Sequence, residues 1–403
     1  MKTVAALIVA LLLSAGFAQT PADKRQQIRA ALYVPEPLPA LDVETYGESE
    51  IAPGVIAERV SYATTYGLRV PAIVYRPARK PAAMPGLIVI NGHGGDKYSW
   101  YAFYAGILYA RAGAVVLTYD PIGEGERNAQ RRSGTRQHDR TIEPEEMGRR
   151  MGGLMMTDVM QATSYLVQRR DVDPARIAAI GYSMGSFVLG LSCAAEPRVA
   201  ACVLTGGGNL DGPGGYWDSS GKKMCQAIPY QAMTFLGDRP AELYKLHRNT
   251  LVWNGTADAV VAIQGAGAAF FEDLNRRLAG HPLTFGFTDG GGHRPYFVTK
   301  PAALWLEKQL DLPNWTAGSV AAMPETHISE WAAKNHVAMD PQYAGELSEG
   351  GTTALATGIP GVPRESLDAL PRAKWDAAKE NYIYETWVRR AQSSASPRLR
   401  DKF

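Results

Sequence analysis

Six short apolar runs, separated by segments with helical patterning, constrain the fold of this chain more than any other feature. The runs are apolar at consecutive positions, which is typical of strands that helices cover on both faces. They lie at 86–90, 114–119, 176–180, 199–204, 250–253 and 283–287, and the helical segments at 98–112, 149–169, 184–194, 263–279 and 297–310. Strands and helices that alternate in this way predict a doubly wound, mostly parallel α/β sheet with right-handed crossovers.

A β-hairpin and an N-terminal arm are predicted before this alternation begins. Two weakly alternating runs at 57–66 and 69–75, joined around Gly67, predict antiparallel strands at one edge of the sheet. Residues 19–54 contain many prolines and few periodic apolar positions, and we predict a surface arm there. The α/β domain therefore spans 55–312.

Three further segments interrupt or follow the alternation. Insertions near 121–147 and 206–248 each begin at the carboxyl end of a predicted strand, where ligands bind in such sheets. Long insertions of this kind predict lids or binding loops, with surface decoration as the alternative. Residues 313–403 form a C-terminal extension, in which apolar residues at helical spacing predict an amphipathic helix over 372–391. That helix docks either on the core or on a second subunit of a homo-oligomer.

The first eighteen residues have the pattern of a secretory signal peptide. Lys2 precedes an apolar run of ten residues at 4–13, and the small residues Gly16 and Ala18 occupy the usual cleavage positions. Such a run is too short to span a bilayer, so we predict that residues 1–18 are removed and that the protein is secreted or periplasmic. An uncleaved N-terminal anchor is the alternative. No later run has the length of a membrane span.

Charge and cysteine content exclude several function classes. The chain has 42 Lys and Arg against 40 Asp and Glu, a balance that argues against nucleic acid or an anionic membrane as the main partner. The three cysteines, Cys193, Cys202 and Cys225, do not have the spacing of a zinc site. One disulfide and three buried thiols are both compatible with the sequence. We therefore predict no metal ion and no organic cofactor.

The motif Gly181-Tyr-Ser-Met-Gly185 carries the strongest chemical signal. It lies directly after a predicted strand and before a predicted helix, so Ser183 is expected on a tight turn above the sheet. The flanking glycines allow the backbone and neighbouring elements to approach closely. A serine hydroxyl is a poor nucleophile at neutral pH and needs a base within hydrogen-bond reach.

An acid and a histidine follow Ser183 in the order that such a nucleophile requires. Asp258 comes just after the fifth apolar run, and His293 follows a glycine-rich turn after the sixth. We predict that His293 takes the proton of Ser183 and that Asp258 orients the imidazole and stabilises its charged form. Asp211, which comes after the fourth run, is a rival for the acid position.

Backbone N–H groups are predicted to stabilise the oxyanion that develops on the substrate. One belongs to Met184, and the second to Gly94 or Gly95 in the loop after the first apolar run. Losing one such donor typically costs about 2.7–4 kcal/mol of transition-state stabilisation. We interpret His93, in the same loop, as a structural residue rather than a base.

Five motifs arrive in the order of a known superfamily. They are His93-Gly-Gly95, Asp120-Pro-Ile-Gly-Glu-Gly-Glu-Arg127, Gly181-Tyr-Ser-Met-Gly185, Gly255-Thr-Ala-Asp258 and Gly292-His293. With them, residues 55–312 resemble the α/β-hydrolase superfamily and, within it, the branch of dienelactone hydrolases and acetylxylan esterases. The resemblance implies the triad Ser183, Asp258 and His293 and a structural turn at Asp120. Dienelactone hydrolases proper use a cysteine nucleophile, so the serine implies a different reaction.

Aromatic and basic side chains near these motifs suggest a carbohydrate ester as the substrate. Tyr98 and Trp100 follow the oxyanion loop, Trp217 lies in the second insertion, and Arg127 belongs to a group of arginines that would suit an acidic sugar. The alternatives are core packing for the aromatic rings and pairing with nearby glutamates for the arginines. We expect a secreted serine carboxylic-ester hydrolase that acts on a small-molecule or carbohydrate ester.

Two other functions are compatible with the same residues. A serine peptidase of the prolyl-oligopeptidase type shares the order of the triad, but such enzymes usually add a large N-terminal propeller, and only about thirty-six residues precede the core here. A binding protein built on an inactive hydrolase fold would usually lack one member of the triad, whereas this chain has all three.

Overall fold

A nine-stranded sheet forms the centre of the computed structural model, which describes residues 19–79, 83–141, 143–208, 225–261, 263, 267–281 and 283–394. The strands are β1 (Glu44–Ala52), β2 (Val55–Ala63), β3 (Arg69–Pro77), β4 (Met84–Ile90), β5 (Val115–Tyr119), β6 (Val172–Tyr182), β7 (Ala201–Thr205), β8 (Asn249–Gly255) and β9 (Leu283–Thr288). Their order across the sheet is β1-β2-β3-β5-β4-β6-β7-β8-β9. The strands from β5 to β9 pair in parallel, and β1, β2 and β3 form an antiparallel edge. The predicted mostly parallel sheet with an antiparallel hairpin at its edge is confirmed.

Helices cover both faces of this sheet. They are α1 (Pro21–Ala31), α2 (Trp100–Arg111), α3 (Glu145–Gln168), α4 (Met184–Ala195), α5 (Ala227–Gln231), α6 (Arg239–Leu246), α7 (Gly267–Leu278), α8 (Lys300–Leu310), α9 (Ala317–Ala322), α10 (Ile328–Lys334), α11 (Arg372–Ala378) and α12 (Tyr384–Ser393). Two short strands of the C-terminal extension, β10 (Glu325–His327) and β11 (Thr353–Leu355), pair antiparallel. Among the described residues, no helix has the length and apolar character needed to cross a membrane.

The central strands are buried on both faces, as their uninterrupted apolar runs predict. On β4, Ile88 belongs to the core cluster that also contains the buried residues of α3 and α4. Its neighbours Leu87 and Val89 belong to the opposite cluster, with the buried residues of α2 and α8. Successive side chains of a strand point to opposite faces, so a strand covered on both sides must be apolar at every position.

The chain reverses its direction of winding between β4 and β6, which are neighbours in the sheet. From β4 the chain crosses to β5 on one side, and it then returns to β6 on the other side. Crossovers on opposite faces leave a crevice at the carboxyl ends of such a strand pair, and ligands bind there in open α/β sheets.

Regular structure occurs where the sequence predicts a surface arm. Within residues 19–54, α1 begins at a capping box of Thr20 and Asp23, and it buries Ile28. Strand β1 follows as the edge of the sheet, and most of its side chains remain accessible to solvent. An edge strand and a helix that buries little apolar surface have weak hydrophobic periodicity, which explains why the pattern of this segment does not indicate them.

The predicted helix over 372–391 is divided into α11 and α12. The chain turns at Lys379–Asn381, and this turn sends the two helices to different parts of the same molecule. Trp375 of α11 donates a hydrogen bond from Nε1 to the carbonyl of Glu126 at 2.8 Å, whereas Trp387 of α12 packs edge-on against Tyr66. The apolar stripe therefore docks on the core of its own chain.

Several predicted features fall outside the described residues. The signal peptide predicted at 1–18 is one of them, and residues 209–224 of the second insertion, with Asp211 and Trp217, are another. Cys193 and Cys202 form a disulfide, and Cys225 is a buried free thiol.

Candidate active site

Ser183 stands at the tip of a sharp turn between β6 and α4. Its φ of 54° and ψ of −118° are unusual for a residue with a side chain, and such strain concentrates at functional sites. Close packing explains the flanking glycines: a Cβ on Gly181 would lie 2.6 Å from the carbonyl of Gly185, and a Cβ on Gly185 would lie 2.3 Å from the Ile90 carbonyl oxygen. The turn thereby places the serine hydroxyl at the crevice between β4 and β6.

His293 and Asp258 approach Ser183 from the ends of the next strands. His293 Nε2 lies 2.8 Å from Ser183 Oγ, and His293 Nδ1 lies 2.8 Å from Asp258 Oδ2. The Asp258 side chain is fully buried, and its other oxygen accepts the backbone N–H groups of Val260 at 2.9 Å and Val261 at 3.3 Å. A buried carboxylate held by backbone donors fixes the imidazole in one orientation, and an imidazole so oriented can take the proton of the hydroxyl.

The loop that carries His293 is fastened by the C-terminal extension. The guanidinium of Arg294 donates to the carbonyls of His293 at 2.8 Å, Gly345 at 2.6 Å and Gly350 at 3.1 Å. The Gly292 N–H also donates to the Gly350 carbonyl, at 3.2 Å. The extension therefore determines where the base of the site lies, a role that no local pattern in the sequence indicates.

The same extension reaches the loop after β4. Gln342 Nε2 donates to the Gly94 carbonyl at 3.2 Å, and the hydroxyl of Tyr343 lies 2.8 Å from Ser99 Oγ. We refer to residues 342–350 as the C-terminal brace, because they contact both loops that flank Ser183.

The predicted oxyanion donors have different surroundings. Met184 is the first residue of α4, and the first N–H groups of a helix have no acceptor within the helix. The N–H of Gly95 donates to the Gly92 carbonyl at 3.0 Å, so the prediction that Gly95 supplies a donor is wrong. Gly94 remains a predicted donor. The same loop approaches the nucleophile at Gly92, where a Cβ would be 3.2 Å from Ser183 Cβ.

Arg127 is a structural residue, and the prediction that it binds substrate is wrong. Its side chain is fully buried, and it forms an ion pair of 2.5 Å with the buried Asp158. It also donates to the backbone carbonyl of Asp120 at 3.3 Å. Asp120 itself is buried and accepts hydrogen bonds from the Lys97 ammonium and from the Glu126 N–H at 2.8 Å, as a structural turn requires.

Tyr98 and Trp100 face the C-terminal extension. The Tyr98 hydroxyl donates to Asp368 at 2.6 Å, and the Arg364 guanidinium lies 3.7 Å from the ring centroid of Tyr98. Trp100 is 3% exposed and packs against Trp331. The groove that both rings line does not contain any of the three triad residues, so the structure does not bring them to the nucleophile.

A small apolar pocket lies beside the turn of Ser183. Its cavity volume is about 20 Å³. Its lining comprises Gly152, Met155, Met156, Met184, Phe187, Val188, Leu191, Cys225, Gln226, Pro229 and Tyr230. Its lining suits an apolar group, and its small volume suits only a short one.

Four potential metal ligands converge at the edge of the same region. They are His93, His138, Asp139 and Cys225, and their donor atoms all lie within 4.8 Å of one another. The prediction of no metal ion did not consider this cluster, because the sequence does not show that positions 93, 138–139 and 225 lie together.

The sequence of the chain matches a known family over more than half of its length. The model of the prolyl oligopeptidase family matches residues 97–316, which are more than half of the chain. This chain belongs to the prolyl oligopeptidase family. A sequence relative, YtaP of Bacillus subtilis (strain 168), is 27% identical over 146 residues, which are 34% of this chain and 47% of that protein. The chain thus spans about half the length of the curated relative that it matches.

Solved structures with a similar fold include three esterases. The acetyl xylan esterase from Paenibacillus sp. R4 is 15% identical with a TM-score of 0.51, and the match covers 73% of this chain and 96% of that one. Acetyl xylan esterase 1 from Thermoanaerobacterium sp. JW/SL YS485 is 16% identical with a TM-score of 0.50, over 76% and 98% of the two chains. Methylesterase BT1017 is 20% identical with a TM-score of 0.54, over 86% and 75%. These likenesses confirm the predicted α/β-hydrolase fold, and with the family they support a serine hydrolase.

Proposed function

We propose that this protein hydrolyses carboxylic esters through an acyl-enzyme formed on Ser183. His293 takes the proton of the attacking hydroxyl and returns it to the leaving alcohol, and Asp258 keeps the imidazole oriented. The N–H of Met184, with that of Gly94, stabilises the oxyanion of the tetrahedral intermediate. A water molecule activated by His293 then releases the acid product.

One observation carries this proposal: the unbroken chain of hydrogen bonds from Ser183 through His293 to the buried Asp258, with both distances at 2.8 Å. The serine at its end has the strained backbone of a nucleophile on a strand-to-helix turn. Core packing does not require three polar side chains in this order at the carboxyl ends of three strands.

We infer that the acyl group is short and that the alcohol is a carbohydrate. The pocket next to Met184 is small and lined mostly by apolar side chains, which favours a short acyl chain over a long one. Two proteins of similar fold are named acetyl xylan esterases, which supports an acetylated polysaccharide as the substrate. The predicted aromatic contacts to sugar rings receive no such support, because Tyr98 and Trp100 pack on the extension.

Export from the cytoplasm is the second part of the proposal. A structural disulfide between Cys193 and Cys202 is typical of proteins that reach an oxidising compartment, and it supports the signal peptide predicted at 1–18. Expression of the full chain in a bacterial host, followed by fractionation and N-terminal sequencing, tests it. A periplasmic or secreted product that begins at Gln19 is expected, and a cytoplasmic product that retains residues 1–18 would contradict export.

Hydrolysis of p-nitrophenyl acetate, butyrate and octanoate by the wild type and by Ser183→Ala tests the esterase. We expect the wild type to prefer the short esters and Ser183→Ala to lose nearly all activity. Ser192→Ala is the matched control: this serine lies on α4, which begins directly after Ser183, and its hydroxyl is buried without a hydrogen-bond partner among the described residues. A fluorophosphonate probe should label Ser183 in the wild type and in the control.

Natural substrates separate the remaining alternatives. Release of acetate from acetylated xylan supports the carbohydrate ester. Cleavage of a proline-containing peptide amide, with every ester left intact, would replace the esterase with a peptidase, which the name of the family makes a reasonable second candidate. Failure of the fluorophosphonate probe to label Ser183 would indicate a protein that uses the fold for binding.

A further inference from the structure

The donor atoms of His93, His138, Asp139 and Cys225 lie within 4.8 Å of one another, near the separations of a tetrahedral metal site. His93 Nε2 is 3.2 Å from Cys225 Sγ and 3.2 Å from Asp139 Oδ1, and His138 Nε2 is 3.9 Å from the same carboxylate oxygen. Bond lengths to zinc of about 2.0–2.3 Å at tetrahedral angles put neighbouring ligand atoms about 3.3–3.7 Å apart. These three pairs are within a few tenths of an ångström of that range, and all four donor atoms lie within 4.8 Å of one another, so adjustments of about 1 Å would let the cluster hold an ion.

His138 supplies an independent reason to expect a ligand. Its ring is fully buried, and neither nitrogen makes a hydrogen bond of normal geometry among the described residues, although the backbone of Ile122 interacts with one of them. A buried polar group without a partner costs free energy, and each such group calls for an explanation. The ring stacks on His93 with centroids 5.2 Å apart and lies beside the Asp139 carboxylate. A metal ion bound at Nε2 would satisfy it.

A catalytic relay of cysteine, histidine and aspartate does not fit these contacts. In such a relay the two imidazole nitrogens face different partners, one the nucleophile and the other the carboxylate. Here the single atom Nε2 of His93 faces both Cys225 and Asp139, and Nδ1 lies 2.9 Å from the carboxamide of Gln226. A half-turn of that carboxamide presents Oε1 to an Nδ1–H, which is how a second contact orients a metal-binding histidine.

The chemistry of the donors selects the ion. Two imidazoles, one thiolate and one carboxylate suit zinc and similar transition metals, whereas magnesium and calcium prefer oxygen ligands alone. Cys225 is available because the disulfide joins the other two cysteines. Binding as a thiolate releases the Sγ proton to the solvent.

We propose that His93, His138, Asp139 and Cys225 bind one zinc ion, or a transition-metal ion of the same class, in a structural site. With four protein ligands the ion has no open position, so it does not take part in the hydrolysis. It joins the loop after β4, on which Gly92 lies beside Ser183, to residue 225 and to the turn Gln137–Arg140. The ion thus fixes one wall of the site, and its binding does not depend on which substrate Ser183 attacks.

Metal content and cobalt spectroscopy test this site in the full-length protein, prepared without a polyhistidine tag. After removal of metal by a chelator, we expect the protein to take up one equivalent of Zn²⁺ and none of Mg²⁺, measured by mass spectrometry of the eluted protein. With Co²⁺ it should show a thiolate-to-cobalt charge-transfer band and intense visible bands of a tetrahedral ion. Zn²⁺ should raise the melting temperature by about 5 °C at a hundredfold excess over Kd.

Variants distinguish this site from adventitious binding. Cys225→Ser should lose the charge-transfer band, and His138→Phe, which keeps a planar ring in the stack, should lose the stoichiometric ion. His336→Asn replaces an exposed histidine outside the cluster and should behave like the wild type. The proposal falls if the wild type takes up no Zn²⁺, or if Cys225→Ser keeps both the equivalent of metal and the temperature shift. None of these experiments measures ester hydrolysis, so they can refute the metal site without refuting the proposed function.

Discussion

Two residues of the triad occupy positions that cost free energy: Ser183 has a strained backbone, and the Asp258 carboxylate is buried. A residue held at a positive φ costs of the order of 1–3 kcal/mol, which the packing around the turn has to offset. The buried carboxylate is stabilised by two backbone N–H groups and by the imidazole. Neither residue could occupy its position without the neighbours that hold it there.

The orientation of His293 depends on the charge of Asp258. Asp258→Asn should lower kcat by about 10⁴-fold with little change in KM, because an amide in that position stabilises the wrong tautomer of the imidazole. Asp289→Asn is the control, since Asp289 is an exposed aspartate on the loop that carries His293, and its side chain accepts a hydrogen bond from the Thr256 hydroxyl. Steady-state kinetics on p-nitrophenyl acetate measure both variants. A loss below tenfold in Asp258→Asn would show that the carboxylate does not orient the base.

Arg127 should matter for stability and not for substrate binding. Removing one partner of a buried ion pair leaves the other charge uncompensated, so Arg127→Ala should lower the free energy of unfolding by about 3–5 kcal/mol. KM of the remaining folded enzyme should not change. Arg132→Ala, which removes an exposed arginine of the same insertion, should leave both quantities unaltered. Urea denaturation and kinetics measure the two effects, and a raised KM with unchanged stability would restore the role in substrate binding.

At the scale of elements, the parts of the site that could be predicted are those with a local signal. Ser183, Asp258 and His293 each follow a recognisable strand, and their order along the chain agrees with their positions along the sheet. Trp100 and Arg127 show the limit of such reasoning, because the sequence does not say which way a side chain points. The C-terminal brace had no recognisable signal, because Arg294 contacts Gly345 from 51 positions away and does so through a backbone carbonyl.

The contacts of Arg294 with the C-terminal brace should control catalysis rather than folding. Arg294→Ala frees the loop of His293, and misplacing a catalytic group by about 1 Å can cost about 100-fold in rate, so we expect kcat to fall by about 10- to 100-fold. Arg176→Ala is the matched control, because Arg176 also donates to backbone carbonyls, those of Leu310, Asp311 and Ala83. It should lower the melting temperature without this loss of kcat. Equal losses of kcat in the two variants would assign Arg294 a general structural role.

At the scale of the whole molecule, the pH dependence of stability should contain a contribution from Glu346. Burial raises the pKa of Glu346 to about 7, although the Thr352 N–H and the Arg294 charge favour ionisation. The native state therefore holds a proton that the unfolded chain loses near pH 4.5, and stability falls as the pH rises through this window and levels off above 7. The shift corresponds to about 3 kcal/mol.

Glu346→Gln should reduce the loss of stability between pH 4.5 and 7, because the amide is neutral at every pH. Its NH₂ can donate to the Thr352 hydroxyl, which rotates to accept. Melting temperatures at pH 5 and pH 8 should differ less in the variant than in the wild type. Some dependence should remain, since burial also raises the pKa of Glu124 to about 7. Equal differences in the two proteins would mean that Glu346 is already ionised at low pH.

The position of the C-terminal brace along the chain also has a consequence for biosynthesis. Residues 342–350 leave the ribosome after all three members of the triad, and until then neither the histidine loop nor the loop after β4 has its fastening. We therefore expect a nascent chain that ends before residue 342 to have a lower kcat than the finished protein, although it already contains Ser183, Asp258 and His293.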